Sequence, residues 1–303
     1  MGDFYVEYEY WVAVFQLMMA MFGMGATLTA GDFGDVIREP KPVTLGLLVQ
    51  LLAVPTAAFL CLQGLGLEGG IAIGIALIAA IPGGTTSNIF TFFARGNSAL
   101  SIAITALTTL ACLVTTPAIL SLLISDSLPA GFSMPVAQIV TEIGLILLLP
   151  LGLGMLCLHL YPAPAAVISK WCIRASLFGI LLIVVGSLSA GRLDLTAFGT
   201  ENVLRVIVFT LVLFVTGWLT PRLFRLSRKD AVAIEFEVVV RNTNLAVMLK
   251  ASMFPAAAGA TAQLGDTILF TVLLYGGLQL LIAPILIRIY SQAAIASQER
   301  DES

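Results

Sequence analysis

Charge is the scarcest commodity in this sequence. Only 11% of its 303 residues are Asp, Glu, Lys or Arg, 59% are hydrophobic, and the mean hydropathy is +1.02. A soluble domain carries about 25% charged residues, so a water-exposed globular protein is excluded. Histidine is nearly missing. His159 stands alone, which leaves no material for a His-based metal site or a catalytic triad. The cysteines Cys61, Cys112, Cys157 and Cys172 are scattered in or beside apolar stretches with no CxxC pair, so neither a disulfide framework nor a metal cluster is suggested. No basic segment precedes the first apolar run, and no cleavable signal peptide is expected. The formal net charge of −3 says little about partners, and no nucleic-acid partner or organic cofactor is expected.

What the sequence does have is long apolar runs, at about 9–30, 42–62, 70–94, 98–124, 134–158, 165–190, 201–220, 231–254 and 264–290. Each is long enough to span a bilayer, and some are long enough to be tilted or broken. The fold class is therefore an all-α polytopic membrane protein with about nine spans. Numbering the loops from an external N-terminus puts Arg38, Lys41, Arg95, Lys170, Arg174, Arg222, Arg225, Arg228, Lys229, Arg288 and Arg300 inside. Only Arg192, Arg205 and Lys250 fall outside, with Arg241 inside a span. The positive-inside rule then sets the N-terminus outside and the C-terminus in the cytoplasm of a cell inner (plasma) membrane.

Two stretches break the apolar pattern. Pro82-Gly83-Gly84-Thr85-Thr86-Ser87-Asn88 interrupts the third span at mid-depth. A proline and two glycines stop a helix there and free backbone N–H and C=O groups where lipid supplies no water. Such a break is tolerated where it lines a cavity, and the freed groups and the Thr, Ser and Asn side chains then become ligands. The second stretch, Glu235 to Ala246, puts Glu235, Glu237, Arg241, Asn242 and Asn244 deep between apolar flanks, and intramembrane ionisable groups are rarely idle. Glu237 and Arg241 are four apart, so on a continuous helix they pair directly.

Smaller signals accompany these. Ser101 and Thr105 share a face of the fourth span, and Gln50, five residues before Pro55, is expected to face the protein interior. The small residues of Met21 to Leu28 suit close helix packing. Glu142 reads as a solvated interfacial charge, and the run Arg222 to Lys229 as an inner-face anchor or lipid contact. The two broken spans are separated by an odd offset of five spans, which places them in opposite orientations, as in inverted repeats whose broken helices cross near the midplane.

Pro82-Gly83-Gly84-Thr85-Thr86-Ser87-Asn88 followed by Ala94-Arg95-Gly96-Asn97-Ser98-Ala99-Leu100-Ser101 resembles the bile acid:sodium symporter family, whose pattern reads PGG-x-x-SN and then ARG-x-x-ALS. Asp32-Phe33 ahead of Pro40-Lys41, Gln50 ahead of Pro55, and Glu237 with Asn242 and Leu245-Ala246 fit the same family, in order, from about 20 to 255. The resemblance implies inverted repeats with two crossing broken helices, divided into a core domain and a panel domain. Core elements are expected at about 42–125 and 201–254, and panel elements at about 9–30, 134–190 and 264–290. It also implies symport of an organic anion, bile acid-like or a small carboxylate such as pantoate, with sodium as coupling ion and with no enzymatic activity. A first sodium site would use Ser87, Asn88, Ser101, Thr105 and Glu237. A second would use Gln50, Glu237, carbonyls near Val238 and Val240, and a glutamine where this chain has Arg241. The anion would meet the helix starts at Thr85, Thr86, Ser87 and Asn88 and at Asn242, Thr243 and Asn244, which present free N–H groups.

Two other classes compete. An intramembrane enzyme using Glu235 or Glu237 lacks a paired nucleophile, a metal triad and a GxSxG motif. An uncoupled or differently coupled facilitator, or a sensor, in which Arg241 replaces the second sodium is the alternative that the arginine keeps open.

Overall fold

The computed structural model describes residues 2–29, 31, 40–124, 128, 132–255 and 260–301. Asp32 and Phe33, part of the sequence resemblance, lie outside them. Among the described residues the regular elements are helices, and apart from the four-residue turn of helix Leu195–Phe198 they are α1 (Gly2–Gly25), α2 (Pro40–Gly64), α3 (Gly69–Ala80), α4 (Thr85–Phe93), α5 (Ser98–Ile124), α6 (Val136–Leu160), α7 (Pro162–Ser189), α8 (Thr200–Leu223), α9 (Arg228–Val239), α10 (Thr243–Met253) and α11 (Ala260–Asp301). Six of them, namely α2, α5, α6, α7, α8 and the stretch Gln263–Ile295 of α11, are long and apolar enough to cross a membrane. The protein is a multi-pass membrane protein. The two stretches expected to break do so: α3 and α4 are the halves of one interrupted span, and α9 and α10 are the halves of the other.

Packing sorts the helices into two groups. In the first, α1 lies along α6 and α7. Its small residues act as anticipated: a Cβ on Gly25 would come within 2.0 Å of the Leu151 carbonyl oxygen, and one on Gly154 within 2.3 Å of that of Phe22. Only a side chain-free crossing lets the two backbones approach this closely. In the second group α3 packs on α5 and α11, α9 packs on α4, α5 and α8, and α2 packs on α3, α5 and α8. The last helix, expected with the first group, has its contacts with α3, α8 and α10 instead. Gly70 and Gly74 of α3 explain this, because each faces a threonine of α11, Thr267 and Thr271, at a distance that leaves no room for a methyl group.

Pro55, in the middle of α2, acts one turn before itself. Pro55 has no N–H and crowds the preceding turn, and the helix widens there into a π turn over Val49–Ala53, closed by the Val54 N–H on the Val49 carbonyl. This turn carries Gln50 into the protein, where it is buried. The same device recurs in α6, with a π turn over Ile143–Leu148 just ahead of Pro150.

Candidate ion and substrate site

The site is built where the two interrupted spans meet. Their breaks pair as a short antiparallel bridge between Gly83 and Arg241: the Gly84 N–H donates to the Val240 carbonyl and the Asn242 N–H to the Pro82 carbonyl, both at 3.0 Å. Backbone groups freed by each break are thus satisfied by the other, which answers the requirement that no polar backbone be left to lipid. The glycines are needed for the approach. A Cβ on Gly83 would lie 2.2 Å from Glu237 Oε2, and one on Gly84 would lie 3.2 Å from the Arg241 carbonyl.

Glu237, in the last turns of α9 and fully buried, is the centre of the first cluster. Its Oε1 accepts from the hydroxyl of Ser87, from Ser101 Oγ at 2.7 Å and from Thr105 Oγ1 at 2.8 Å, and its Oε2 also accepts from Thr105 Oγ1 at 2.8 Å. Asn88 Oδ1 accepts from Ser101 Oγ at 2.7 Å and from Thr105 Oγ1 at 3.1 Å. The structure therefore brings together all five residues expected for the first ion site, drawn from α4, α5 and α9. Local chemistry sets the register. Arg95 closes α4 in the left-handed conformation, with its N–H on the Phe92 carbonyl. Asn97 caps α5 through the Leu100 N–H at 3.1 Å and ties it to α9 through Asp230 at 2.8 Å. Ser101 and Thr105 follow one and two turns into α5, on the face that meets Glu237.

The second cluster differs from expectation. Glu237 and Arg241 form no ion pair among the described residues, because α9 ends at Val239 and four-residue spacing ceases to mean adjacency. The guanidinium of Arg241 runs instead to the C-terminal end of α3. It donates to Gln50 Oε1, to the Ile81 carbonyl, to the Ala79 carbonyl at 3.1 Å and to the Ile78 carbonyl at 3.2 Å. These include the last carbonyls of a half-helix, the negative end of its dipole. Gln50 closes the arrangement by donating to the Glu237 carbonyl at 2.6 Å. Val240 gives its carbonyl to Gly84, and Val238 is fully buried.

A cavity of about 360 Å³ lies between the two packing groups. Thr85, Thr86, Asn242, Thr243 and Asn244 line it, as expected for an anion site, whereas Ser87 and Asn88 turn to the ion cluster. Asn242 caps α10, accepting from the Leu245 N–H at 3.3 Å.

Three residues here escaped the sequence reading. Gln279 of α11 accepts from the Arg241 N–H at 2.9 Å, Tyr275 donates to the Val239 carbonyl at 2.8 Å, and Gln16 of α1 lines the cavity. The logic applied to Gln50, that an amide alone in an apolar run must face inward, applies equally to Gln16 and Gln279. Glu142 is also corrected. It is buried, and its Oε1 accepts from Ser252 Oγ at 2.6 Å and Tyr10 at 3.1 Å. Within the basic run, Arg222 reaches Glu235 at 3.1 Å and Tyr290 at 3.0 Å.

Residues 14–198 match the Sodium Bile acid symporter family. The chain belongs to that family. It is 32% identical over 238 residues to the uncharacterized sodium-dependent transporter YocS of Bacillus subtilis (strain 168), covering 78% of this chain and 73% of that protein. It is 31% identical to the sodium-dependent organic anion transporter of Mus musculus, over 78% of this chain and 63% of the other. To the probable sodium/metabolite cotransporter BASS1, chloroplastic, of Oryza sativa subsp. japonica it is 28% identical, over 78% and 58%. The chain thus spans less than two thirds of the length of these last two. This is a transporter family, and this symporter-family protein is not an enzyme.

Proposed function

We propose that this protein couples the entry of an organic anion to sodium by alternating access. The observation that carries the reading is the convergence of Ser87, Asn88, Ser101, Thr105 and Glu237 at the crossing of two broken spans, beside a cavity. Hydroxyl, amide and carboxylate oxygens suit a small hard cation. The hydroxyls can rotate to turn their lone pairs from their present acceptors to an ion, while Glu237 supplies the charge that balances it. The anion is placed at Thr85, Thr86 and Asn242 to Asn244, the lining residues at which two half-helices begin and where their dipoles are positive. An ion beside Glu237 and a carboxylate at the neighbouring helix starts attract one another, which is the physical basis of coupling.

Arg241 carries the finer part of the proposal. Oxygens at the C-terminal end of a half-helix are where a coupling cation binds in transporters of this construction. Here a permanent guanidinium holds those oxygens. The chain carries its second cation covalently, and transport uses one sodium per monovalent anion, without net charge movement. We place the α1, α6 and α7 group as the panel and the remaining long helices, α11 included, as the core, in a plasma membrane with the N-terminus outside. The alternative, an uncoupled facilitator or sensor, also draws on Arg241. Proteoliposomes loaded to impose a sodium gradient separate the two readings: accumulation of a carboxylate against its gradient, with sodium and not with potassium, is expected, and equilibration without accumulation overturns coupling.

A further inference from the structure

Four charged side chains meet at the end of the bundle where α1 begins and where α7 and α10 finish. Glu9 of α1 pairs with Lys250 of α10 at 2.8 Å, and Arg192 pairs with Asp266 of α11. Arg192 follows the last turn of α7 and is held to it by its N–H on the Ser187 carbonyl at 2.9 Å. Both pairs therefore run from the α1, α6 and α7 group to the other group. Beyond Lys250, Ser252 of α10 joins Gln138 and Glu142 of α6, each at 2.6 Å. Among the described residues, every side-chain hydrogen bond or ion pair between the two groups lies at this end. Helix α10 carries this contact to the site. Its first residues, Thr243 and Asn244, line the cavity, and Lys250 stands about 10 Å further along the helix axis.

The four charges also pair within each group. Arg192 lies 2.9 Å from Glu9. The Lys250 ammonium lies beside the helical turn that bears Asp266, since a Cβ on Gly265 would come within 3.7 Å of Lys250 Nζ. Each group thus contributes one acid and one base. Buried charges are expensive to strand, yet separating these groups strands none: Glu9 keeps Arg192, and Lys250 keeps Asp266. We propose that these four residues are the outer gate of the transport path, a latch that exchanges partners. It joins the groups in this structure, and it divides into two neutral pairs when the groups part and the cavity is exposed to that side. The inference rests on the alternating-access reading above, with the N-terminus outside, and adds the residues that close the path. A buried ionic contact without such an exchange would hold one state too firmly, because the states of a cycling transporter must lie close in free energy.

Two double variants test the latch. Glu9→Gln with Arg192→Gln removes both pairs between the groups and leaves Lys250 and Asp266 to each other, so the gate should open more readily. Glu9→Lys with Lys250→Glu keeps the pair between the groups but leaves two positive charges on one group and two negative charges on the other. Parting then costs attraction across the gap and gains only repulsion within each group, and the gate should stay shut. The readout is the rate at which a membrane-impermeant thiol reagent labels Ile180→Cys, a cavity position. It is measured from outside whole cells and in inside-out vesicles, with the partly exposed Cys157 and Cys172 replaced by alanine. From outside, the first variant is expected to label roughly tenfold faster than the parent and the second roughly tenfold slower, the least that a close buried charge pair contributes. Labelling through the inner face should shift the opposite way. Buried Cys112 reports unfolding; should it react in the first variant, the exchange variant decides alone. Outside rates unchanged in both variants, or shifted in the same direction, overturn the latch and leave alternating access standing. A parent labelled through one face only, with and without sodium, overturns alternating access and the latch with it.

Discussion

Gly83 and Arg241, 158 residues apart in sequence, face one another as an antiparallel backbone bridge at the crossing of two broken spans. The bridge brings Glu237 Oε2 so close to Gly83 that a methyl group cannot stand between them. Gly83→Ala must displace that carboxylate from Thr105 and is expected to remove sodium-dependent stabilisation. Gly84→Ala meets only the Arg241 carbonyl at 3.2 Å and should lower thermal stability while keeping the sodium response. Melting curves of both variants in sodium and in potassium check the distinction. The reverse pattern would show that the carboxylate moves freely.

The ion cluster makes a graded prediction. A ligand present at a hundred times its dissociation constant stabilises the folded state by about 2.7 kcal/mol. Glu237→Ala should abolish such a sodium effect, and Thr105→Val, which removes a hydroxyl that contacts both oxygens of Glu237, should weaken it. If both variants respond to sodium as the parent does, the ion binds elsewhere.

Arg241→Gln removes the tethered cation and leaves Gln50 and the Ile78, Ala79 and Ile81 carbonyls without their donor. The expected outcome is a second, cooperative sodium dependence and a transport current where the parent shows none. Arg241→Lys keeps the charge but cannot span four acceptors with one ammonium group, so it should retain single-ion behaviour with reduced stability. A Hill coefficient and a current unchanged in Arg241→Gln would reduce the arginine to a structural tie.

A further prediction concerns the contact between the two packing groups. Glu9 of α1 accepts from Lys250 of α10 at 2.8 Å and forms an ion pair with Arg192 at 2.9 Å, and Arg192 also holds Asp266 of α11. Glu9, Arg192 and Lys250 are buried. Removing one partner of such a cluster leaves an uncompensated charge, and Lys250→Met should cost roughly 3–5 kcal/mol in unfolding experiments. Adding Glu9→Gln should recover part of that loss, because the two residues share one interaction. Strict additivity in the double-mutant cycle would show that the pair is not coupled.

Much of this protein could be read before folding was considered. The shortage of charge places the chain in a membrane, since lipid penalises ionisable groups wherever they fall. Pro82-Gly83-Gly84 announces a broken helix because proline lacks a donor and glycine a side chain. Ser101 and Thr105 share a face by helical periodicity alone. Such inferences succeed because they depend on a residue's own chemistry or on neighbours along one helix. The structure alone decided that Arg241 meets the end of α3 and not Glu237, that Glu142 is buried under Ser252, and that α11 packs on α3. The partners in the first case are backbone carbonyls, which every residue carries and no sequence marks. Which of them a helix end sets free, and which side chain arrives there, is settled only when distant segments pack together.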